Sequence, residues 1–137
     1  DPRAKLGLAT GNLEDAARMK LLSTGLSWTH DFGAFGGETS DRADLLDLAF
    51  RRARSSLPAY DVASLYVVGD TPRDVAAAKA VGAAAIGVAC GPYAIEELLD
   101  AGADLVLETP RATLKQPFWS TSDPSRVIFD PQSGNSA

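Results

Sequence analysis

The apolar run Leu65-Tyr66-Val67-Val68 stops at Gly69-Asp70-Thr71-Pro72-Arg73-Asp74, and this junction limits the fold more than any other stretch of the chain. Four residues without polar alternation read as a strand covered on both faces, the habit of parallel sheets. Pro72 suits the first turn of a helix, so strand passes into helix across a very short turn. Parallel strands need such helical crossovers, and the chain repeats the unit. Strands are predicted over 5–10, 30–35, 65–68, 84–89 and 104–107. Helices are predicted from residue 13 to near Gly25, over 42–57, over 75–81 with Pro72 at or near its start, and over 95–101. The helix over 42–57 has Leu45, Leu46, Leu48, Ala49, Ala53 and Leu57 mostly at helical spacing. The expected class is α/β with a doubly wound parallel sheet. Beyond Pro110 the periodicity fades into Ser, Pro and Thr, so 1–110 reads as the core domain and 111–137 as an irregular tail.

Composition removes several function classes. The 137 residues suffice for one domain, and the net charge of -5 disfavours nucleic acid or an anionic membrane surface as partner. No run approaches the ~20 apolar residues of a membrane span. The single cysteine, Cys90, excludes an intrachain disulfide, and the expected compartment is the cytoplasm. A phosphorylated small molecule stays compatible with the charge, because a site can hold a metal or be locally positive.

Open α/β sheets place their sites at the carboxyl ends of strands. Asp70 and Asp74 fall there, and two carboxylates make a hard, oxygen-rich corner suited to Mg²⁺ together with water and substrate phosphate. Capping of the following helix is the competing role for both. The second junction is Leu8-Ala9-Thr10-Gly11-Asn12. A hydroxyl at a strand end, a glycine and a helix N-terminus form a natural phosphate cradle, with Asn12 expected as N-cap. His30, beside Trp28 and Phe32, reads as packing or surface, Cys90 as a small residue at the rim, and Lys20 and Lys79 as solvated helix positions.

Taken in order, Thr10 in LATGN and Asp70 and Asp74 in GDTPRD resemble the second and fourth motifs of the haloacid dehalogenase-like (HAD) superfamily, closest to its phosphoglycolate phosphatase-like branch. The resemblance runs from about Leu6 to Leu107 and includes Gly82-Ala83, Gly87-Val88-Ala89, Glu96-Glu97-Leu98 and Ala103-Asp104. It implies a Rossmann-like three-layer α/β/α core and a Mg²⁺-dependent phosphomonoester hydrolase. Thr10, with Gly11 and Asn12, would bind phosphate, and Asp70 and Asp74 would hold the metal. The third motif of the family is a basic residue, usually Lys. Arg42 stands in the expected place, and Arg supplies a planar fork of donors rather than a point charge; a solvated first-turn position is the other reading.

The first motif of the family is a strand followed by Asp-x-Asp, whose first carboxylate attacks phosphorus. No Asp-x-Asp occurs in these 137 residues. The resemblance therefore implies the C-terminal part of a longer enzyme, without turnover by itself. It also implies a sheet interrupted where the nucleophile strand would lie, between the strand of Thr10 and that of Asp70. Unpaired buried backbone groups cost about 1–3 kcal/mol each, so marginal stability, or pairing with another strand, is expected. A non-catalytic module built on the same scaffold is the alternative.

Overall fold

The computed structural model describes residues 5–56 and 65–109. The connection 58–64 and the tail 111–137 lie outside them. Five strands and four helices alternate among the described residues, in two compact units, one within Asp1–Ala63 and the other within Ser64–Ala137.

The first unit runs β1 (Gly7–Thr10), α1 (Glu14–Ser23), β2 (Phe32–Phe35) and α2 (Arg42–Ser56). β1 and β2 pair in parallel, with Gly7 opposite Phe32 and Thr10 opposite Phe35. α2 packs on both strands. Its apolar stripe buries Leu45, Leu46, Ala49, Phe50 and Ala53. Asp41 starts the helix: its Oδ1 accepts the amides of Ala43 at 2.8 Å and Asp44 at 3.0 Å. α1 differs. It buries Ala17 and leaves Met19 and Leu22 exposed.

The second unit runs β3 (Tyr66–Gly69), α3 (Pro72–Ala80), β4 (Ala84–Val88), α4 (Ile95–Asp100) and β5 (Leu105–Leu107). The strands lie in the order β3-β4-β5, all parallel. β4, paired on both sides, buries Ala85 to Val88, and β5 is buried throughout. α3 is Ala-rich where it meets the sheet, burying Val75, Ala77 and Ala78. α4 is fixed at its start by the Glu97 carboxylate, which accepts the Ala94 amide at 2.8 Å. Leu98 is fully buried over Gly87, which has room for no side chain larger than hydrogen without pressing on it.

The expected parallel α/β class is what the chain forms, with its strands divided between two sheets. Among the described residues β1 is hydrogen-bonded to β2 alone and β3 to β4 alone. Strand ends shift slightly: β2 begins at Phe32 and β5 at Leu105. α3 begins at Pro72, as that proline's placement at or near the helix start suggests, and so ahead of residue 75. No helix among the described residues is long and apolar enough to cross a membrane.

Candidate active site

β3 delivers Gly69 and Asp70 to its carboxyl end, and the turn is then closed by a cap. Thr71, in extended backbone, is the N-cap of α3, and its Oγ1 accepts the Asp74 amide at 3.1 Å. The same hydroxyl donates to Asp74 Oδ2 at 2.8 Å. Thr71 and Asp74 thus answer each other across three residues, in the manner of a capping box. Asp74 serves the cap and still presents a carboxylate at the strand end, while Asp70 has no part in the capping. The capping role weighed for both carboxylates therefore belongs to Thr71 and, in part, to Asp74.

Two glycines lie against these carboxylates. A Cβ on Gly69 would fall 2.4 Å from Asp74 Cβ. A Cβ on Gly91, in the loop after β4, would fall 2.7 Å from Asp70 Oδ2. Asp70 therefore lies against the β4–α4 loop and Asp74 against the end of β3. Cys90, beside Gly91, is exposed. The two acidic side chains fit Mg²⁺ by chemistry: both are hard oxygen donors at one strand end, and Mg²⁺ commonly takes one or two carboxylates and completes its shell with water and phosphate oxygens.

The other junction lies in the first unit. Thr10 ends β1, and its Oγ1 receives two hydrogen bonds, from the Asn12 backbone amide at 3.2 Å and from Asn12 Nδ2 at 3.0 Å. Asn12 Oδ1 in turn accepts from Lys20 Nζ at 3.0 Å. This corrects the expected cap: Leu13 is the N-cap of α1 and contributes no side-chain hydrogen bond. The Asn12 carboxamide is drawn instead to Thr10 and Lys20, and its backbone N–H is turned onto Thr10. Lys20, read from sequence as plain helix surface, belongs to this junction. Gly11 is exposed, with open space on the side where a Cβ would stand. Gly36, after β2, presses on it: a Cβ there would lie 1.8 Å from the Gly11 carbonyl oxygen, and the Gly36 amide donates to Asn12 O at 2.9 Å.

Arg42 is the first residue of α2, half-buried and just after the capping Asp41. A cation at a helix N-terminus opposes the dipole, so this position does not serve helix stability. Sequence reasoning passed over the contacts of Arg52, which donates to Gly33 O at 2.9 Å and pairs with both carboxylate oxygens of Glu38. Glu38 also accepts the Phe35 amide at 2.9 Å. The Arg52 hydrogen bond, then that amide, hold the Glu38 carboxyl below its ordinary range. Lys79 lies on an exposed helix face, as expected, and there pairs with Asp104 at 2.6 Å. His30 packs edge-on against Trp28, with ring centroids 4.8 Å apart, and against Phe35. Its expected packing role stands, with Phe35 as neighbour. Thr10 and Asn12 are brought together in the first unit, and in the second Asp70 and Asp74 both follow the carboxyl end of β3, each against a different segment.

No curated protein matches the chain. A hydrolase from Pseudomonas syringae is similar in structure, with TM-score 0.67 and 26% identity over 85% of this chain and 52% of that one. A protein provisionally named β-phosphoglucomutase from Thermotoga maritima gives TM-score 0.67 and 26% identity over 83% of this chain and 52% of its own. A provisionally named phosphatase from Clostridium difficile shares the fold at 18% identity and TM-score 0.64, over 80% of this chain and 50% of that one. The chain spans about half the length of these structures. The family model described as HAD-hydrolase-like matches residues 44–112, a span that holds α2 from Asp44 onward, the Gly69–Asp74 turn and all of β3 to β5. By that match, and by the fold it shares with these structures, the chain belongs to the HAD-like hydrolase family.

Proposed function

We propose that the chain supplies the metal- and phosphate-holding part of a Mg²⁺-dependent phosphomonoester phosphatase, of the phosphoglycolate phosphatase-like kind. The observation that carries this reading is the acidic strand end. Asp70 and Asp74 follow β3 with a capped helix behind them and glycines at both contact points. Asp70 would hold the metal and Asp74 would assist, directly or through water. Bound there, Mg²⁺ would offset charge on a transferring phosphoryl group. Thr10 would hold a phosphate oxygen, with Gly11 leaving space for it, Asn12 supporting Thr10, and Arg42 supplying positive charge. The attacking carboxylate is not offered by any Asp-x-Asp in these residues, so the 137-residue chain is expected to show no turnover. The second reading is a non-catalytic module on the same scaffold; an Asp-x-Asp segment in the sequence encoded upstream would decide for the enzyme, and its absence there for the module.

Paramagnetic Mn²⁺ tests the metal corner without needing catalysis. Substoichiometric Mn²⁺ should broaden the amide resonances of 69–74 and Gly91 first, and Asp70→Asn should abolish that selectivity. Broadening spread evenly over the acidic surface would remove the assignment. Two carboxylates predict weak Mg²⁺ binding, so tight binding by calorimetry would count against a partial site. Mg²⁺-dependent hydrolysis of an aryl phosphate by the pure chain would contradict the missing nucleophile.

A further inference from the structure

We infer that Lys20 and Asn12 are positioning residues that fix the polarity of the Thr10 hydroxyl, so that it meets its ligand as a donor. Lys20 sets the first constraint. An ammonium group only donates, so the Asn12 atom facing it at 3.0 Å is the carboxamide oxygen. That fixes the flip of a planar amide: its NH₂ lies on the opposite side, 3.0 Å from Thr10 Oγ1. An NH₂ also only donates, so Thr10 Oγ1 must accept. The Asn12 backbone amide delivers a second donor to the same oxygen. A hydroxyl has two lone pairs and one hydrogen. Both lone pairs are used, and the hydrogen is left for something outside the trio.

The consequence is selective. A group approaching Thr10 Oγ1 meets an O–H, and must itself be an acceptor. A phosphate oxygen qualifies, and an amine or amide N–H does not. The cationic end of the chain of hydrogen bonds strengthens this, because each donor polarises the next group toward Thr10. Without Lys20 the Asn12 amide could turn over, present its oxygen to Thr10 and take up the hydroxyl hydrogen.

This inference rests on the phosphate role proposed for Thr10, and the test separates the two. Inorganic phosphate is titrated into the 137-residue chain, with the Gly11 and Asn12 amide shifts followed by ¹H–¹⁵N NMR. Thr10→Val should weaken binding about tenfold, as for loss of a hydrogen bond to a charged group. Lys20→Met should weaken it about three- to tenfold, Lys20→Arg should restore it, and Lys20→Met in the Thr10→Val background should add nothing. Independent, multiplying losses would show Lys20 acting as a distant charge and would overturn the inference. An unaffected Thr10→Val chain would overturn the phosphate role instead. The network has its own readout in phosphate-free protein: Lys20→Met should move the Asn12 side-chain NH₂ resonances, and unmoved resonances would overturn the network whatever phosphate does.

Discussion

The two units build the same local object, a strand end followed by a turn and a helix, from unequal resources. In the second unit the turn is backed by a three-stranded sheet whose central strand is paired on both sides. Its helix is capped by Thr71 and seated by Val75, Ala77 and Ala78. In the first unit the sheet has two strands, and α1 starts at an uncapped Leu13 and buries Ala17 alone. Three strands with an apolar face are about what a stable sheet needs, and two depend on what packs against them. Here α2 fills that role for β1 and β2, whereas α1 buries only Ala17 among the described residues. The acidic corner thus rests on core and cap, while the Thr10 junction rests on a short chain of polar side chains. Preorganisation is structural in one and electrostatic in the other.

The largest expected effects come from testing that inequality in the cores. Leu98 is fully buried, so Leu98→Ala should cost about 2–5 kcal/mol. Met19 is 72% exposed, so Met19→Ala should stay within about 0.5 kcal/mol. Chemical denaturation measures both. A costly Met19→Ala would mean that α1 is covered in solution, and the contrast between the units would fail.

Next in size is a glycine pair. Gly36→Ala drives a Cβ into the Gly11 carbonyl, a backbone atom that cannot rotate away, and should cost about 1–3 kcal/mol. Gly91→Ala meets the tip of Asp70, which can swing aside. Its stability should change little while selective Mn²⁺ broadening at 69–74 is lost. Equal stability losses would show that the Asp70 carboxylate is as fixed as backbone.

These contrasts mark what could be read from the sequence. β3 to β5 were legible because each is a short apolar run, and α2 because its leucines and alanines keep helical spacing. Asp70 and Asp74 were legible as a pair, since a turn holds them four residues apart. Thr71-x-x-Asp74 carried a capping signal that went unused behind the more conspicuous acids. Asn12 misled for a physical reason: asparagine is a good cap, but a lysine eight residues on competes for its carbonyl. Gly36 and Gly91 could not be assigned, because their constraint is the close approach of another segment. Glu38–Arg52 and Lys79–Asp104 span 14 and 25 residues, beyond any local pattern. The split of the strands into two sheets followed from family resemblance, since periodicity says nothing of strand order.

The smallest expected effect is an acid response that differs between the units. Burial of Asp104 opposes its ionisation, but the Lys79 hydrogen bond, the Ala85 amide at 2.7 Å and the Lys79 charge outweigh it, so its carboxyl lies below the ordinary 3.8. Glu38 lies below its ordinary 4.5 through the Arg52 hydrogen bond and the Phe35 amide. A carboxyl depressed on folding stabilises the folded chain above its unfolded value, and that support drains as pH falls through the folded value. Acidification should therefore loosen the first unit from about pH 4.5 and the second from about pH 3.8 downward. The Lys79–Asp104 pair is partly exposed, so its share is at most ~1 kcal/mol. Amide exchange resolved by strand reads the order: β1 and β2 should lose protection before β4 and β5. Glu38→Gln should flatten the early phase and Asp104→Asn the later one, each leaving the other in place. A single transition at one pH, unmoved by either substitution, would show that these carboxylates do not govern the acid limb and that the two units respond as one.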